Sequence, residues 1–157
     1  MEPEIRPSLL WTGAQLLPSV DVSFGDSTRA GLHWQVTPLL WSWGMNRQLS
    51  PWRAFVAEPL TRQNGSLELF VAPGVTFGET TTASLRTGLR AYIPLVEHGE
   101  GMSISFGAGY ARYRKQNAAA LEVGAYFLFG VLGLQLTYLV NADIRRTVIA
   151  SIRLRYF

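Results

Sequence analysis

The 157-residue chain contains no cysteine, which excludes a disulfide framework and a thiolate metal site. Lysine occurs once, at Lys115, whereas arginine occurs thirteen times. Soluble β-proteins usually place lysines along exposed strands, where the charges prevent edge-to-edge pairing. Arginine suits enclosed ion pairs, because its planar guanidinium binds carboxylates in a fixed geometry. The excess of arginine over lysine indicates that charged side chains are held inside the protein.

Charged residues are also scarce, at 16% of the chain against about 25% in an average soluble domain. The net charge is +3, but the arginines are scattered and form no stripe or tail, so a nucleic-acid partner is not expected. Aromatic residues are plentiful, with five Trp, six Tyr and eight Phe. The length fits one domain over 1–157, of which 1–13 can be an N-terminal extension.

Alternation of apolar and polar residues with a period of two is the main signal in the sequence. It recurs in nine segments separated by turn-forming residues: 14–24, 32–42, 52–58, 66–77, 85–95, 102–110, 121–129, 132–138 and 148–156. No amphipathic pattern of helical length competes with it. Strands of about ten residues at this spacing predict an all-β, up-and-down antiparallel barrel.

One segment has a second interpretation. Val123–Val140 carries no charge over eighteen residues, which is long enough for a membrane-spanning helix. Gly124, Gly130 and Gly133 interrupt it, and the alternation continues on both sides of Gly130. A β-hairpin is therefore favoured over a helix.

The composition of the polar faces predicts which side of the barrel meets solvent. These faces carry small residues, such as Gly107 and Gly109, with thinly spread charges. Such faces fit a narrow lumen that is filled by side chains. The apolar faces would then point outward to lipid, as in a transmembrane barrel. The charges of the polar faces are expected to neutralise one another in a lumen network: Glu68, Arg86, Arg90, Glu122, Arg153 and Arg155. Within it, Glu68 should lie close to Arg90 if 66–77 pairs with 82–95.

Aromatic residues near the ends of the segments are candidates for interfacial girdles. Trp41, Trp43 and Trp52 flank one loop, and four further aromatic residues lie near the opposite ends: Phe24, Phe129, Tyr156 and Phe157.

The pattern and the terminal Phe157 resemble the small outer-membrane β-barrels of Gram-negative bacteria. The resemblance implies tight turns at one end, longer loops at the other, contact with membrane lipid, and a C-terminal strand read by the barrel-assembly machinery. In that family the positions alternating back from the terminal Phe are apolar. Here those positions are Arg155, Arg153 and Ser151, and the apolar set is offset by one residue.

An even strand number is expected for such a barrel. Nine segments leave two solutions: 5–11 adds a tenth strand, or one N-terminal segment lies outside the barrel. Eight strands are favoured over ten. Met1-Glu2-Pro3-Glu4 has neither the basic start nor the apolar stretch of an export signal, so a mature form is expected.

No catalytic or metal motif stands out, and no cofactor is expected. If 14–24 and 32–42 form a hairpin, Asp21 falls nearly opposite His33, with Ser23 diagonal to it. These three residues have the composition of a hydrolytic triad, although a satisfied polar pair is the favoured interpretation. A non-enzymatic barrel with a structural, adhesive or partner-scaffolding role is the first hypothesis. A lipid-modifying hydrolase or acyltransferase and a soluble, lipocalin-like carrier of an apolar ligand are the alternatives.

Overall fold

A computed structural model describes residues 17–44, 50–55, 59–128, 130–140 and 147–154. The elements are β1 (Ser19–Phe24), β2 (Arg29–His33), β3 (Val36–Ser42), β4 (Trp52–Arg53), helix α1 (Pro59–Gln63), β5 (Ser66–Thr76), β6 (Thr82–Val96), a 3-10 helix (Glu97–Gly99), β7 (Met102–Tyr113), β8 (Gln116–Phe127), β9 (Leu132–Val140) and β10 (Thr147–Leu154). The predicted all-β class is confirmed, because the two helices together cover few residues.

Eight strands close into an antiparallel barrel. From β5 to β10 each strand pairs with the next, β10 pairs with β1, and β1 pairs with β2. The ring closes where Gly31, Leu32 and His33 of β2 pair with Thr76, Val75 and Gly74 of β5. Closure satisfies backbone groups that a strand edge would leave unpaired. The preferred strand number of eight is confirmed; residues 5–11, the proposed tenth strand, lie outside the described residues.

The second alternating segment, 32–42, is interrupted rather than continuous. Strand β3 continues β2 along the same side of β5, and β4 pairs with its outer edge. The register slips between Val36 and Leu39, around Pro38. An extra residue in one strand reverses which face the following side chains occupy. Leu40 was predicted to share the outward face of Val36; it is instead fully buried, and Leu39 and Trp41 are exposed.

The Val123–Val140 segment forms the β8–β9 hairpin, so the helical interpretation was wrong. Phe127 accepts a backbone hydrogen bond from Gly130, which has a positive φ of 78° at the turn. Within the described residues, no helix has the length and apolar character needed to cross a membrane.

Side chains sort by polarity between the two faces of the barrel. Most exposed large side chains on the strands are apolar, among them Leu89, Phe106, Leu121, Leu136 and Ile152. The buried positions are rich in Ser, Thr, Gln, Arg and Glu. Small residues let strands approach closely: a Cβ on Gly109 would lie 2.6 Å from the Gly88 Cα of the paired strand. With eight strands, the lumen is narrow enough for side chains to fill.

The two ends of the barrel differ. At the hairpin end lie the turns at 25–28, 77–81 and 114–115, together with the ends of β9 and β10 at Val140 and Thr147. At the terminal end lie residues 17 and 154, the 3-10 helix, the β8–β9 turn and the described parts of the longest connection, 43–44, 50–55 and 59–65, which contain β4 and α1. The resemblance implied long loops at one end only; here the longest connection shares an end with the outermost described residues of the chain.

Candidate functional site

Glu68, on the inward face of β5, is the centre of the lumen network and is 0% exposed. Arg90 is its direct partner in the β5–β6 register, and Arg90 Nη1 donates to Glu68 Oε1 at 3.1 Å. The same carboxylate oxygen accepts from Gln35 Nε2 at 2.5 Å and from the Tyr92 hydroxyl at 3.1 Å. Thr37 donates to the other oxygen at 3.2 Å. A buried carboxylate with this many donors is well compensated for its lost hydration.

Arg90 links this cluster to β8, two strands away from β6 in the barrel. It is 1% exposed, and its Nη2 donates to Glu122 Oε2 at 2.5 Å. The guanidinium carbon also lies 4.2 Å from the centroid of the Phe70 ring, within the range of a cation–π contact. Arg90 thus bridges two carboxylates.

Arg153 extends the network to β10. Its Nη1 donates to Gln135 Oε1 at 3.1 Å and to the Tyr126 hydroxyl at 3.2 Å. Its Nη2 donates to Gln35 Oε1, which also accepts from Arg90 at 2.8 Å. Gln35 therefore connects two arginines on different strands. The predicted network residue Arg155 lies outside the described residues.

Helix α1 supplies a cation that the alternation pattern could not indicate. Arg62 Nε donates to Glu68 Oε2 at 2.9 Å, and Ser66 Oγ donates to the Arg62 carbonyl at 2.9 Å. Burial alone lowers the pKa of Arg62, but the Glu68 carboxylate offsets this and raises that pKa above its ordinary value. Arg62 therefore stays charged and ties the helix to the lumen network.

The last turn of α1 occupies the terminal end of the lumen. Ser103 Oγ donates to Gln63 Oε1, and Gln63 is buried. A Cβ on Gly130 would lie 2.6 Å from Gln63 Nε2, and both Gly99 and Gly130 have positive φ. Glycine at these positions gives the turns room to pack on Gln63. The chain itself closes this end of the barrel.

A second polar cluster surrounds Asp21, nearer the hairpin end. The carboxylate is 2.8 Å from His33 Nδ1, accepts from Ser151 Oγ at 2.5 Å, and pairs with Arg86 Nη2 at 3.0 Å. The register pairs Asp21 with Gly31 and His33 with Ser19, so the contact is diagonal rather than directly across. The sequence predicted that Asp21 lies nearly opposite His33. The observed partner of Asp21 is Gly31, two residues before His33.

Ser23 takes no part in this cluster. Its hydroxyl accepts from the Tyr113 hydroxyl at 2.7 Å and donates to the Arg29 carbonyl at 3.2 Å. The triad composition therefore separates into an Asp21–His33 pair and a serine engaged elsewhere. A nucleophile must hydrogen-bond its base to be activated, and the described contacts of Ser23 do not include His33.

Filling continues toward the hairpin end. Small and aromatic side chains form a buried apolar layer there: Ala111, Tyr113, Ala118, Ala120, Leu139 and Ile149. A cavity of about 10 Å³ between Asp21, Ser23, Arg86 and Tyr113 has room for about one water molecule. This cavity is too small for a larger solute.

The tryptophans of the predicted girdle lie together at the terminal end. Trp41 contacts Trp43 and Trp52, with ring centroids 5.7 and 6.5 Å apart, and all three side chains are exposed. They belong to β3, β4 and the start of the long connection. Phe129, Tyr156 and Phe157 lie outside the described residues.

Among the described residues, no group of three or more His, Asp or Glu side chains is arranged to hold a metal ion. The chain matches no family model, and comparison with curated proteins and with solved structures gives no match. The site is thus defined by its own geometry: a polar, charge-paired lumen closed within a barrel whose outer surface is apolar.

Proposed function

We propose that the protein is a membrane-spanning β-barrel of the bacterial outer membrane, with a filled lumen and a structural, adhesive or partner-scaffolding role. Only α-helices and closed β-barrels satisfy all backbone hydrogen bonds in a hydrocarbon environment. A closed barrel meets this requirement. Side chains that face lipid must also be apolar, and the outer surface of this barrel is apolar.

The observation that carries the proposal is the distribution of charge. The eight barrel strands contain eight charged residues, and only Arg112 lies on the outward face: Asp21, Arg29, Glu68, Arg86, Arg90, Arg112, Glu122 and Arg153. A soluble barrel would place charges outside and apolar side chains inside, whereas the present arrangement is the reverse. Charged side chains on a lipid face are destabilising, which accounts for their exclusion from this surface.

Strand length is consistent with a bilayer. Strands β5 to β9 contain between 9 and 15 residues. A tilted strand needs about 9–11 residues to cross the hydrocarbon core. The exposed tryptophan cluster at the terminal end would then lie at one membrane interface, where aromatic residues are enriched.

The C-terminal strand is the segment on which recognition by the barrel-assembly machinery would act. Ile152 of β10 faces outward, whereas Ser151 and Arg153 face the lumen. The outward-facing apolar position in β10 is therefore offset by one residue from the positions that alternate back from Phe157.

The two alternatives have less support. A carrier of apolar ligands needs an apolar cavity, and this lumen holds paired charges and hydroxyls. A lipid-modifying hydrolase needs an activated nucleophile, and the Ser23 hydroxyl is engaged with Tyr113 and Arg29 rather than with His33.

Membrane insertion tests the proposal directly. The refolded chain is expected to float with phosphatidylcholine vesicles in a density gradient and to resist extraction by alkaline carbonate. Folded protein should also migrate differently from boiled protein in dodecyl sulfate gels, because a closed barrel has no free edge at which unfolding can begin. A monodisperse, concentrated sample without detergent would contradict the proposal.

The filled lumen leads to a second expectation. Vesicles loaded with a small fluorescent dye should retain it when the folded barrel inserts, because side chains and α1 occupy the lumen. A large porin reconstituted in parallel is the positive control for release. Dye release in proportion to the inserted protein would contradict a closed lumen.

A further inference from the structure

Arg112 is the exception to the charge distribution, since it is the one charged residue on the outward face of the eight barrel strands. Its position on β7 follows an ordered series. Phe106, Ala108, Tyr110 and Arg112 share the outward face of β7, from the middle of the strand to the hairpin end. Side chains on one face of a strand are spaced about 7 Å apart. The series thus passes from apolar to amphipathic to cationic within a short distance.

This series follows the layers of a bilayer. Hydrocarbon favours Phe and Ala, the interface favours Tyr, and phosphate-bearing headgroups attract Arg. The Tyr110 hydroxyl already donates to Asn117 Oδ1 at 2.7 Å, which marks the start of the polar zone. Arg112 therefore reaches headgroup depth if the barrel spans a membrane.

A groove, which we call the rim groove, lies beside Arg112 at the hairpin end of the barrel. The β6–β7 ladder ends with the pair Leu85 and Arg112, whereas β6 continues to Thr82 and pairs there with β5. The hairpin of β5 and β6 is therefore taller than the adjoining hairpin of β7 and β8. Beside the shorter β7–β8 hairpin lies the rim groove, with a volume of about 580 Å³. Its lining includes Thr81, Thr82, Ser84, Leu85, Arg112 and Lys115.

The lining of the groove has the chemistry of a phosphate site. Arg112 and Lys115 supply two cations, and the exposed residues Thr80 and Thr81 line the same groove. None of the ion pairs among the described residues involves Arg112, Arg114 or Lys115. Lys115 is also the one lysine of the chain. Leu85 lines the same groove and gives it an apolar floor continuous with the outer surface.

We propose that this rim groove binds the phosphate of an anionic lipid headgroup, with Arg112 and Lys115 as its cationic ligands and the acyl chains lying along the outward face of β6 and β7. The assignment rests on the proposed membrane insertion. A lipid is favoured over free phosphate because the groove opens onto the apolar face at Leu85.

The test measures lipid selectivity of the full chain in phosphatidylcholine vesicles that contain a small amount of spin-labelled phosphatidic acid or spin-labelled phosphatidylcholine. The measurement is made in 1 M salt, where the Debye length is about 3 Å. Long-range attraction between the protein and the anionic lipid is then screened, and close contacts with the headgroup determine the preference. The wild type is expected to prefer phosphatidic acid. Arg112→Gln and Lys115→Gln should each lower this preference about fivefold, the equivalent of roughly 1 kcal/mol per cation. Arg114→Gln, which removes the same charge from the same turn but does not line the groove, should leave it unchanged.

The outcomes separate the groove from the membrane proposal. Flotation of each variant with vesicles is measured first, and a wild type that does not float overturns both. A wild type that floats without preferring phosphatidic acid, or an equal loss in all three variants, overturns the groove alone. Binding of inorganic phosphate distinguishes the source of the ligand: a wild type that shows no preference for phosphatidic acid but binds inorganic phosphate more tightly than Arg112→Gln does would make the groove a site for free phosphate and the lipid assignment wrong.

Discussion

Replacing Glu68 with glutamine is expected to cost about 3–5 kcal/mol of unfolding free energy, because it leaves the buried Arg62 guanidinium without its anion and removes one of the two carboxylates that Arg90 binds. Arg62 and Arg90 both bind this carboxylate, at 2.9 and 3.1 Å. The interior is already unbalanced, with Asp21, Glu68 and Glu122 facing a larger number of buried arginines. Glutamine keeps the volume and removes the charge, so packing changes little. Urea unfolding in detergent micelles measures the effect.

Glu79→Gln, in the exposed β5–β6 turn, is the matched control and should stay within about 0.5 kcal/mol of the wild type. A double-mutant cycle with Arg62→Gln should return part of the loss, because it removes the cation left without an anion, whereas Arg90 still pairs with Glu122. An exposed ion pair would instead be worth about 0–1 kcal/mol and weaken with salt. Equal effects of Glu68→Gln and Glu79→Gln would show that the carboxylate is not held among buried cations.

Placing a charge on the middle of the outward face is the second change with a large expected effect. Leu136 is 51% exposed on β9 and pairs with Val123 and Ala150. Leu136→Arg should destabilise the barrel in vesicles by about 2–4 kcal/mol if this position lies near the bilayer midplane. Reversible urea unfolding from vesicles gives the difference.

Val140 provides the control on the same strand and face. It is 46% exposed but lies at the hairpin end of β9. Val140→Arg should cost only about 0–1 kcal/mol, since the cost of a cation falls toward the interface. A barrel whose outer surface met water would tolerate both substitutions equally. Equal effects at the two positions would therefore contradict a membrane around β9.

Regular alternation allowed much of the barrel to be predicted from the sequence. Strands β5 to β9 have uninterrupted patterns, and the pairing of 66–77 with 82–95 puts Glu68 directly opposite Arg90. One buried face and one apolar face fix the register of such strands, because a slip by one residue would exchange the faces.

Other features depend on interactions that alternation does not record. The bulge at Pro38 reverses the faces within β3, so Leu40 enters the lumen although its spacing predicts the outside. Helix α1 is five residues long, too short to show an amphipathic period. Arg62 lies between the alternating segments 52–58 and 66–77, and its place in the network follows from the packing of α1 at the terminal end of the lumen. Gln35, between β2 and β3, belongs to the polar face of the segment 32–42, but the alternation gives no sign that it binds Glu68, Arg90 and Arg153.

The seam between β1 and β10 has a consequence for how the molecule is made. Its paired residues stand far apart in the sequence: the hydrogen bond from Ser151 to Asp21 joins positions 130 apart. Contacts of such high separation cannot form until the last strand has left the ribosome, and folding slows as the mean separation of contacts rises. Until then β1 has a free edge and an apolar face. The nascent chain must therefore be kept from self-association until β10 is available, and closure of the barrel belongs at the end of folding.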